Sequence, residues 1–258
     1  MRSFTRVLCP VRGNIHVAPN IRLLSFESEE ISSAYRPGRF VNIRVGTGTD
    51  PLLRRPFSIS RVEGACVEIL FSIVGRATGS LGSAREGDTL DVLGPLGNPF
   101  HLEGEDFSAA LLVAGGMGVA PMPGVARALT ALGKEVRSFV GARSSSWLVT
   151  RHLPGVRTAT DDGSAGFHGS VVDLLEDALG GGPIGATRIF GCGPTPMLRS
   201  LAAWALERDL PCEVSLEGAM GCGFGICQGC PVELAGDQRK FALMCTDGPA
   251  FDVRRIRL

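Results

Sequence analysis

The stretch "AALLVAGGMGVAPMPGVARAL", residues 109–129, decides the fold. It is apolar enough to suggest a membrane span, but Gly115, Gly116, Gly118, Pro121 and Pro123 interrupt it. Glycine and proline at this density punctuate a chain instead of continuing one helix. The reading is therefore strand, glycine turn, helix. "AALLVAGG" is a continuous apolar run, as expected of a parallel strand buried on both faces. "GVARALTALGK" follows as a helix ending at Gly133.

The same alternation continues downstream. "EVRSFVGAR" (135–143) reads as a strand, "GSVVDLLEDALG" (169–180) as a helix, "TRIFGCG" (187–193) as a strand and "TPMLRSLAAWALERD" (195–209) as a helix. Alternating strands and helices imply a parallel sheet covered on both faces. Upstream the pattern differs. "RFVNIRV" (39–45), "CVEILFSIV" (66–74) and "DTLDVLG" (88–94) mix apolar and polar positions at period two, separated by Pro-Gly, Glu-Gly and Gly-Pro breaks. That predicts a small antiparallel barrel with no helix in the first 100 residues. From about residue 212 helical periodicity stops and a cysteine-rich segment begins. The fold class is thus an α+β multi-domain protein: an antiparallel β-barrel over 1–103, a parallel α/β domain over 104–211 and a small segment over 212–258.

Composition narrows the function. The 258 residues carry 26 basic and 26 acidic side chains, which gives no electrostatic case for nucleic acid or an anionic membrane as the main partner. The basic end "DVRRIRL" reads as a solvated tail or rim. One Tyr and two Trp leave little for stacking on bases. Nothing at the N-terminus has the pattern of a signal peptide, and the clustering of cysteines argues against a disulfide framework, so the cytoplasm is the expected location.

"MGCGFGICQGC" (220–230) sets Cys222, Cys227 and Cys230 at C-x4-C-x2-C, with Cys245 downstream. That is the plant-type [2Fe–2S] spacing. Three thiolates on one tight loop can wrap a cluster if the backbone folds inward. Gly221, Gly223, Gly225 and Gly229 remove side chains that would block this. Zinc is the structural alternative, although paired knuckles are its usual arrangement and Cys245 stands alone. Free thiols are the third possibility. Cys9, Cys66 and Cys212 read as small buried apolar residues.

Two glycine loops follow strands at one sheet edge. Gly115, Gly116 and Gly118 form the first, which would let a diphosphate approach backbone N–H groups. "FGCGPTPML" (190–198), with Cys192, Gly193 and Pro194, forms the second. A tight turn with a packed thiol is the structural alternative for each. A third loop, "TDDGSAGFHGS" (160–170), brings Asp161 and Asp162 near the same edge, most simply as turn residues. In the barrel, "LLRRPFSIS" (52–60) places Arg54 and Arg55 before Pro56, Phe57 and Ser58. A guanidinium matches a diphosphate, a serine hydroxyl can bond a polar ring edge and Phe57 offers a flat face, but an edge strand with a solvated arginine pair explains the same residues.

Together these motifs resemble the ferredoxin–NADP reductase superfamily and, within it, the electron-transfer subunits of class 1B dihydroorotate dehydrogenases. The likeness runs through "YRPGRFVNIRV", "RRPFSIS", "GPLGNPF", "LLVAGGMGVAPM", "TDDGSAGFHGSVVDLL", "FGCGPTPML", "EGAMGCGFGICQGC" and "CTDGPAFD", in family order. It implies an FAD-binding barrel, an NAD-binding α/β domain and a C-terminal [2Fe–2S] segment. Arg55, Pro56, Phe57 and Ser58 match the flavin motif, and Leu70, Phe71 and Ser72 the next flavin-contacting strand. Ala77 and Thr78 fall where relatives carry Gly-Thr beside the flavin diphosphate. Gly115, Gly116, Gly118, Gly193 and Pro194 match the nicotinamide side, with Cys192 as the candidate catalytic group there. Cys222, Cys227, Cys230 and Cys245 match the cluster ligands.

Electron counting supports a flavin between the end stations. Nicotinamide carries two electrons as hydride and a [2Fe–2S] cluster takes one, whereas a flavin handles both. His16, His101, His152 and His168 sit in unrelated contexts, and no base–nucleophile pair for oxidising a carbon substrate is visible. The resemblance therefore implies a separate catalytic subunit containing FMN, two of each chain in a heterotetramer, and electrons passing from dihydroorotate to NAD in pyrimidine biosynthesis. The competing expectations are a subunit of a ferredoxin–NADP oxidoreductase or sulfide dehydrogenase, and a zinc-stabilised binding module without redox activity.

Overall fold

The computed structural model describes residues 4–46, 48, 50–179, 185–236 and 239–258. Its first region is a closed antiparallel barrel of six strands: β1 (Thr5–Ala18), β2 (Ile21–Glu27), β3 (Phe40–Arg44), β4 (Arg55–Glu63), β5 (Cys66–Ser72) and β6 (Thr89–Leu96). Around the barrel they run β1-β2-β5-β4-β3-β6. Inward positions such as Val41, Ile43, Ile59, Val67 and Ile69 fill its core. Closure leaves no unpaired edge in the region expected to hold a flat cofactor.

Two short helices were not legible in the sequence, α1 (Glu29–Ser33) and α2 (Arg76–Gly82). Each is about one to two turns, too short for a 3.6-residue apolar period to show. In α1 the Ser28 hydroxyl caps the start by accepting from Ile31 N at 3.3 Å, and Ile31 is the single buried side chain.

The second region is a seven-stranded sheet. Its strands are β7 (Ala109–Gly115), β8 (Glu135–Ala142), β9 (Val156–Thr160), β10 (Phe167–His168), β11 (Thr187–Cys192), β12 (Cys212–Ser215) and β15 (Ala250–Asp252), in the order β10-β9-β8-β7-β11-β12-β15. All neighbours are parallel except β12 and β15. The opening stretch explains the layering. Leu111 and Val113 of β7 face one core, where α4 (Val171–Leu179) and α5 (Thr195–Glu207) supply Leu174, Leu175, Leu198 and Leu201. Ala110, Leu112 and Ala114 face the other, against Met122, Val125 and Leu129 of α3 (Met122–Ala131). Period-two side chains with apolar cover on both faces produce an unbroken hydrophobic run. Gly180, the expected end of α4, lies outside the described residues.

The C-terminal segment is woven into this sheet through β12 and β15, with a two-stranded hairpin, β13 (Pro231–Glu233) and β14 (Phe241–Leu243), between them. The basic end is not a solvated tail. Val253 and Ile256 are buried, Arg254 donates to Asp209 at 2.6 Å, and Leu234 bridges Ile256. Val253 and Ile256 anchor this end while the arginines between and after them stay at the rim. Barrel and sheet also interlock: Arg127 of α3 donates to the Val62 carbonyl at 2.6 Å, and a side chain at Gly124 would overlap the Tyr35 hydroxyl.

Candidate functional site

Strand alternation divides "RRPFSIS". Pro56 and Ser58 are half-buried and line an outer cleft of about 350 Å³. Phe57 touches the cleft, but its ring is buried in the barrel core, edge-on to Phe71 at 5.5 Å between centroids. It braces the strand more than it offers a free stacking face. Leu70, Phe71 and Ser72 of β5 form the adjoining wall. The Ser72 hydroxyl is buried there with no hydrogen-bond partner. An orphaned donor on a mostly apolar wall suits a flat heterocycle with polar edge atoms.

A second cavity, about 580 Å³, shares Val74 and Thr78 with the first and adds Arg55, Gly75, Arg76 and Ala77. Two guanidinium groups beside an apolar cleft fit a dinucleotide whose diphosphate follows its ring. Arg55 reaches the Leu53 carbonyl at 2.7 Å, and Arg76 pairs with Asp50 at 2.7 Å. Thr78 Oγ1 accepts from the backbone N–H of Val74 at 2.9 Å and of Gly75 at 3.2 Å, fixing the turn. Ala77, which stands where glycine was expected, is largely buried against the barrel core while still lining this cavity. Arg54 is not a cavity residue: it is bonded to Asp91.

The two glycine loops of the sheet meet back to back. A Cβ on Gly118 would overlap the Cys192 carbonyl, and one on Gly193 would stand 3.1 Å from Gly115 N. Gly118 is thus a close-approach glycine between loops, whereas Gly115 and Gly116 line a cavity of about 210 Å³ with Pro194, Arg143, Asp161 and Ser170. A cavity at the C-terminal edge of parallel strands, with glycine backbone on one wall and both a guanidinium and a carboxylate on the other, fits a dinucleotide. Asp162 instead accepts from Ser164 N at 2.9 Å, as a turn residue does.

Cys192 is buried, and burial pushes its thiol well above the ordinary range. A thiol held neutral is no nucleophile. Its Sγ approaches Glu217 Oε1 at 3.9 Å, and Glu217 lines the flavin-sized cleft. Glu217 has considerable exposed surface, yet its carboxyl sits where desolvation by the surrounding protein raises its pKa. All four histidines are exposed.

The cysteine loop is built as expected from its glycines. Gly223 and Gly225 take φ of +84° and +93°, which few other residues adopt, and a Cβ on Gly221 would stand 3.2 Å from Cys227 Sγ. The thiols stand as two pairs. Cys230 Sγ lies 3.3 Å from Cys245 Sγ, and Cys222 Sγ accepts from Cys227 N at 3.5 Å. Among the described residues no three or more His, Cys, Asp or Glu groups gather as ligands of one ion. Two thiol pairs suit a binuclear centre, with two thiolates per iron.

Electrostatics differ between the two pairs. Burial alone would raise Cys222, but backbone N–H groups from Cys227, Phe224 and Ile226 bring it down to about 7. Burial and the neighbouring Cys230 push Cys245 up to about 12, which favours its neutral thiol. Cys9 and Cys212 are buried as expected, and Cys66 is half-buried.

Residues 217–257 match the family model for the iron–sulfur cluster binding domain of dihydroorotate dehydrogenase B. Over 243 residues the chain is 38% identical to the dihydroorotate dehydrogenase B (NAD(+)) electron transfer subunit of Bacillus caldolyticus, covering 91% of this chain and 92% of that one. The chain belongs to this electron-transfer subunit family. The counterpart from Desulforamulus reducens is 36% identical over 244 residues, with the same coverage. Among solved structures, one of an NADH-dependent reduced ferredoxin-NADP oxidoreductase superposes with a TM-score of 0.85 at 30% identity, covering 97% of this chain and 90% of that one. A ferredoxin NADP+ reductase from Neisseria gonorrhoeae with bound FAD and NADP shares the fold, with a TM-score of 0.65 at 18% identity over 81% of this chain and 92% of that one.

The cavity linings include two positions that sequence reasoning missed. Glu217 and Arg76 both line cofactor-sized cavities. Glu217 opens the stretch that carries the cysteine motif, but only the fold shows that it lines the cleft. Arg76 follows a half-buried strand end and carries no motif. No helix among the described residues is long and apolar enough to cross a membrane.

Proposed function

We propose that this chain holds FAD, NAD and a [2Fe–2S] cluster and serves as the electron-transfer subunit of a dihydroorotate dehydrogenase in pyrimidine biosynthesis. The observation that carries the reading is the composition of one cleft. Its walls come from the barrel (Pro56, Ser58), the nucleotide sheet (Met117, Ala120) and the cluster segment (Met220, Pro249). A ring held there would touch all three parts of the chain. When bound, the three groups let a two-electron hydride carrier exchange with a one-electron centre, the flavin handling both counts.

The protein's own residues have separable tasks in this reading. Ser58 and Ser72 supply hydroxyls for the polar edge of the ring, and Arg55 with Arg76 faces the diphosphate. Leu70, Phe71, Ala77 and Thr78 shape the walls, with Pro56 and Phe57 setting the strand. Gly115 and Gly116 admit the second dinucleotide beside Pro194, while Gly118 and Gly193 hold its two loops together. Glu217 sets a carboxyl of raised proton affinity at the cleft wall, with Cys192 behind it as a positioning thiol. Cys222, Cys227, Cys230 and Cys245 hold the cluster. Residues 1–103, 104–211 and 212–258 are accordingly the flavin, nucleotide and cluster regions.

The substrate site lies on a separate catalytic subunit carrying FMN, in a heterotetramer of two of each chain, and NAD is the dinucleotide. The exposed Ile226, between Cys222 and Cys227, fits a face that a partner covers. A cytoplasmic location suits eight free cysteines. A second reading, as a subunit of a ferredoxin–NADP oxidoreductase, draws on the TM-score of 0.85 to such a structure. Affinity purification of the native complex, with cofactor extraction and iron counting, tests the proposal. FAD, two irons per chain and an FMN-bearing dihydroorotate-oxidising partner are expected. A colourless, iron-free chain, or full NAD-linked dihydroorotate oxidation by this chain alone, would overturn it.

A further inference from the structure

We propose that Asn42 and Asn98 are positioning residues of the flavin barrel that grip the cluster segment at both ends, and that Asn42 tunes the cluster through the Cys222 peptide. This rests on the cluster reading above. Asn42 is 1% exposed on β3. Its neighbours Val41 and Ile43 point into the barrel, so Asn42 points outward, where Cys222 and Gly223 of the cysteine loop lie against it. A carboxamide buried this completely is costly unless bonded. Its Nδ2 donates to the Cys222 carbonyl at 2.9 Å, across 180 residues of sequence.

The orientation of that amide is fixed. Turning it over would set Oδ1 against the Cys222 carbonyl, acceptor against acceptor. Oδ1 is itself buried with no partner, so an apolar residue would pack there at lower cost and the donor is what the site retains. The loop is seated on this amide closely enough that a Cβ on Gly223 would overlap Nδ2.

The second grip is at the other end. Asn98 Nδ2 donates to the Asp247 carbonyl at 2.9 Å, and Asn98 N to the Gly248 carbonyl at 2.6 Å, just beyond Cys245. Asn42 lies opposite Leu93 on β6, and Phe40 of the same β3 lies opposite Ser58 on β4. One rigid sheet therefore carries the amide, the strand leading to Asn98, and the serine of the flavin-sized cleft. Hydrogen bonds and net charge near the thiolates set an iron–sulfur potential. An N–H pointed at the Cys222 peptide favours the extra negative charge of the reduced state.

The isosteric Asn42→Asp and Asn98→Asp variants of the full chain, reconstituted with FAD, iron and sulfide, test this. For Asn42→Asp the expectation is wild-type FAD and iron stoichiometry, altered g-values in the electron paramagnetic resonance spectrum of the reduced protein, and a more negative cluster midpoint potential. For Asn98→Asp it is a severalfold faster loss of iron to a chelator. If Asn42→Asp fails to accumulate, the Asn98→Asp result decides, and an unchanged rate of iron loss overturns the grip. A wild-type spectrum and potential in Asn42→Asp, beside a normal wild-type cluster, overturns this inference alone. A wild-type chain that takes up no iron overturns the parent reading with it.

Discussion

Arg54 Nη2 lies 2.8 Å from Asp91 Oδ1, and its Nη1 lies 2.8 Å from the Asp91 carbonyl. The adjacent Arg55 lines the cavity assigned to the flavin diphosphate. Two neighbouring arginines of one motif thus have different surroundings: one ties the start of β4 to β6 and the other lines a cavity. Asp91 also receives Arg6 at 2.9 and 3.0 Å.

Burial by itself would raise the Asp91 pKa, but the hydrogen bonds from Arg6 and Arg54 outweigh it and hold the carboxylate below its usual 3.8. A carboxylate with a depressed folded pKa stabilises the protein above its unfolded value, and that contribution disappears as pH falls through the folded one. Asp91→Asn should cost about 2 kcal/mol at neutral pH, in the range of charge-assisted hydrogen bonds. The deficit should shrink below about pH 4, where the wild-type carboxylate also protonates. Denaturant melts at pH 7 and pH 3 measure both. Equal deficits at the two pH values would contradict the assignment.

Arg55→Ala should behave differently. Among the described residues its guanidinium donates to the nearby carbonyls of Leu53 and Arg54. Stability of the flavin-free chain should change little, while FAD affinity falls about tenfold, the equivalent of ~1.4 kcal/mol. Recovery of flavin fluorescence on dilution reads the dissociation. Unaltered release would move the diphosphate away from Arg55.

The cluster assignment predicts that Cys245→Ser loses iron and the visible absorption due to the cluster, while the flavin absorption remains. Cys245 is 2% exposed and packs in the core with Cys230 and Met244, so the conservative serine limits the cavity left behind. Iron counting beside the flavin spectrum tests this. Simultaneous loss of both chromophores, with the chain still folded, would mean that the flavin cleft depends on the cluster ligands.

How much was legible in the sequence follows from the length scale of each feature. The β7 run, with Leu111 and Val113 on one face and Leu112 and Ala114 on the other, encodes its own burial, so the parallel sheet could be read directly. The cysteine spacing is likewise local, confined to one loop and one downstream residue. What could not be read depends on contacts made after folding. Arg54 and Arg55 look alike until β6 supplies Asp91. Asn42 is an ordinary strand residue until Cys222 arrives from the far end of the chain. Phe57 resembles a stacking platform until strand alternation turns its ring into the barrel. The "DVRRIRL" end reads as a tail because two buried side chains, Val253 and Ile256, are hidden among charges.

Gly118→Ala tests the meeting of the two nucleotide loops. The added methyl would overlap backbone, the carbonyl of Cys192, and backbone cannot swing aside as a flexible side chain can. Overpacking of this kind typically costs 1–3 kcal/mol, so about 2 kcal/mol is expected here. Because the strain is local to the nicotinamide side, the rate of flavin reduction by NADH should fall while FAD and iron contents stay at wild-type levels. Stopped-flow reduction with cofactor counting distinguishes this from general misfolding. A wild-type reduction rate would show that the loops tolerate separation and that their contact does not shape the dinucleotide cavity.

Glu217→Gln gives the last test, through pH. Desolvation beside the cleft raises the Glu217 pKa above its usual 4.5, with the Cys192 thiol opposing only in part. The folded protein therefore holds this proton more tightly than the unfolded chain does. The resulting stabilisation is complete below the unfolded pKa and is lost as pH rises through the folded one. Glutamine keeps the shape and cannot ionise, so the melting temperature of Glu217→Gln relative to wild type should rise between acid and neutral pH. Paired thermal melts across that range measure it. A gap that does not vary with pH would mean that the carboxyl is solvated and carries no proton at the cleft wall, removing the one titratable group here placed against the flavin-sized cavity.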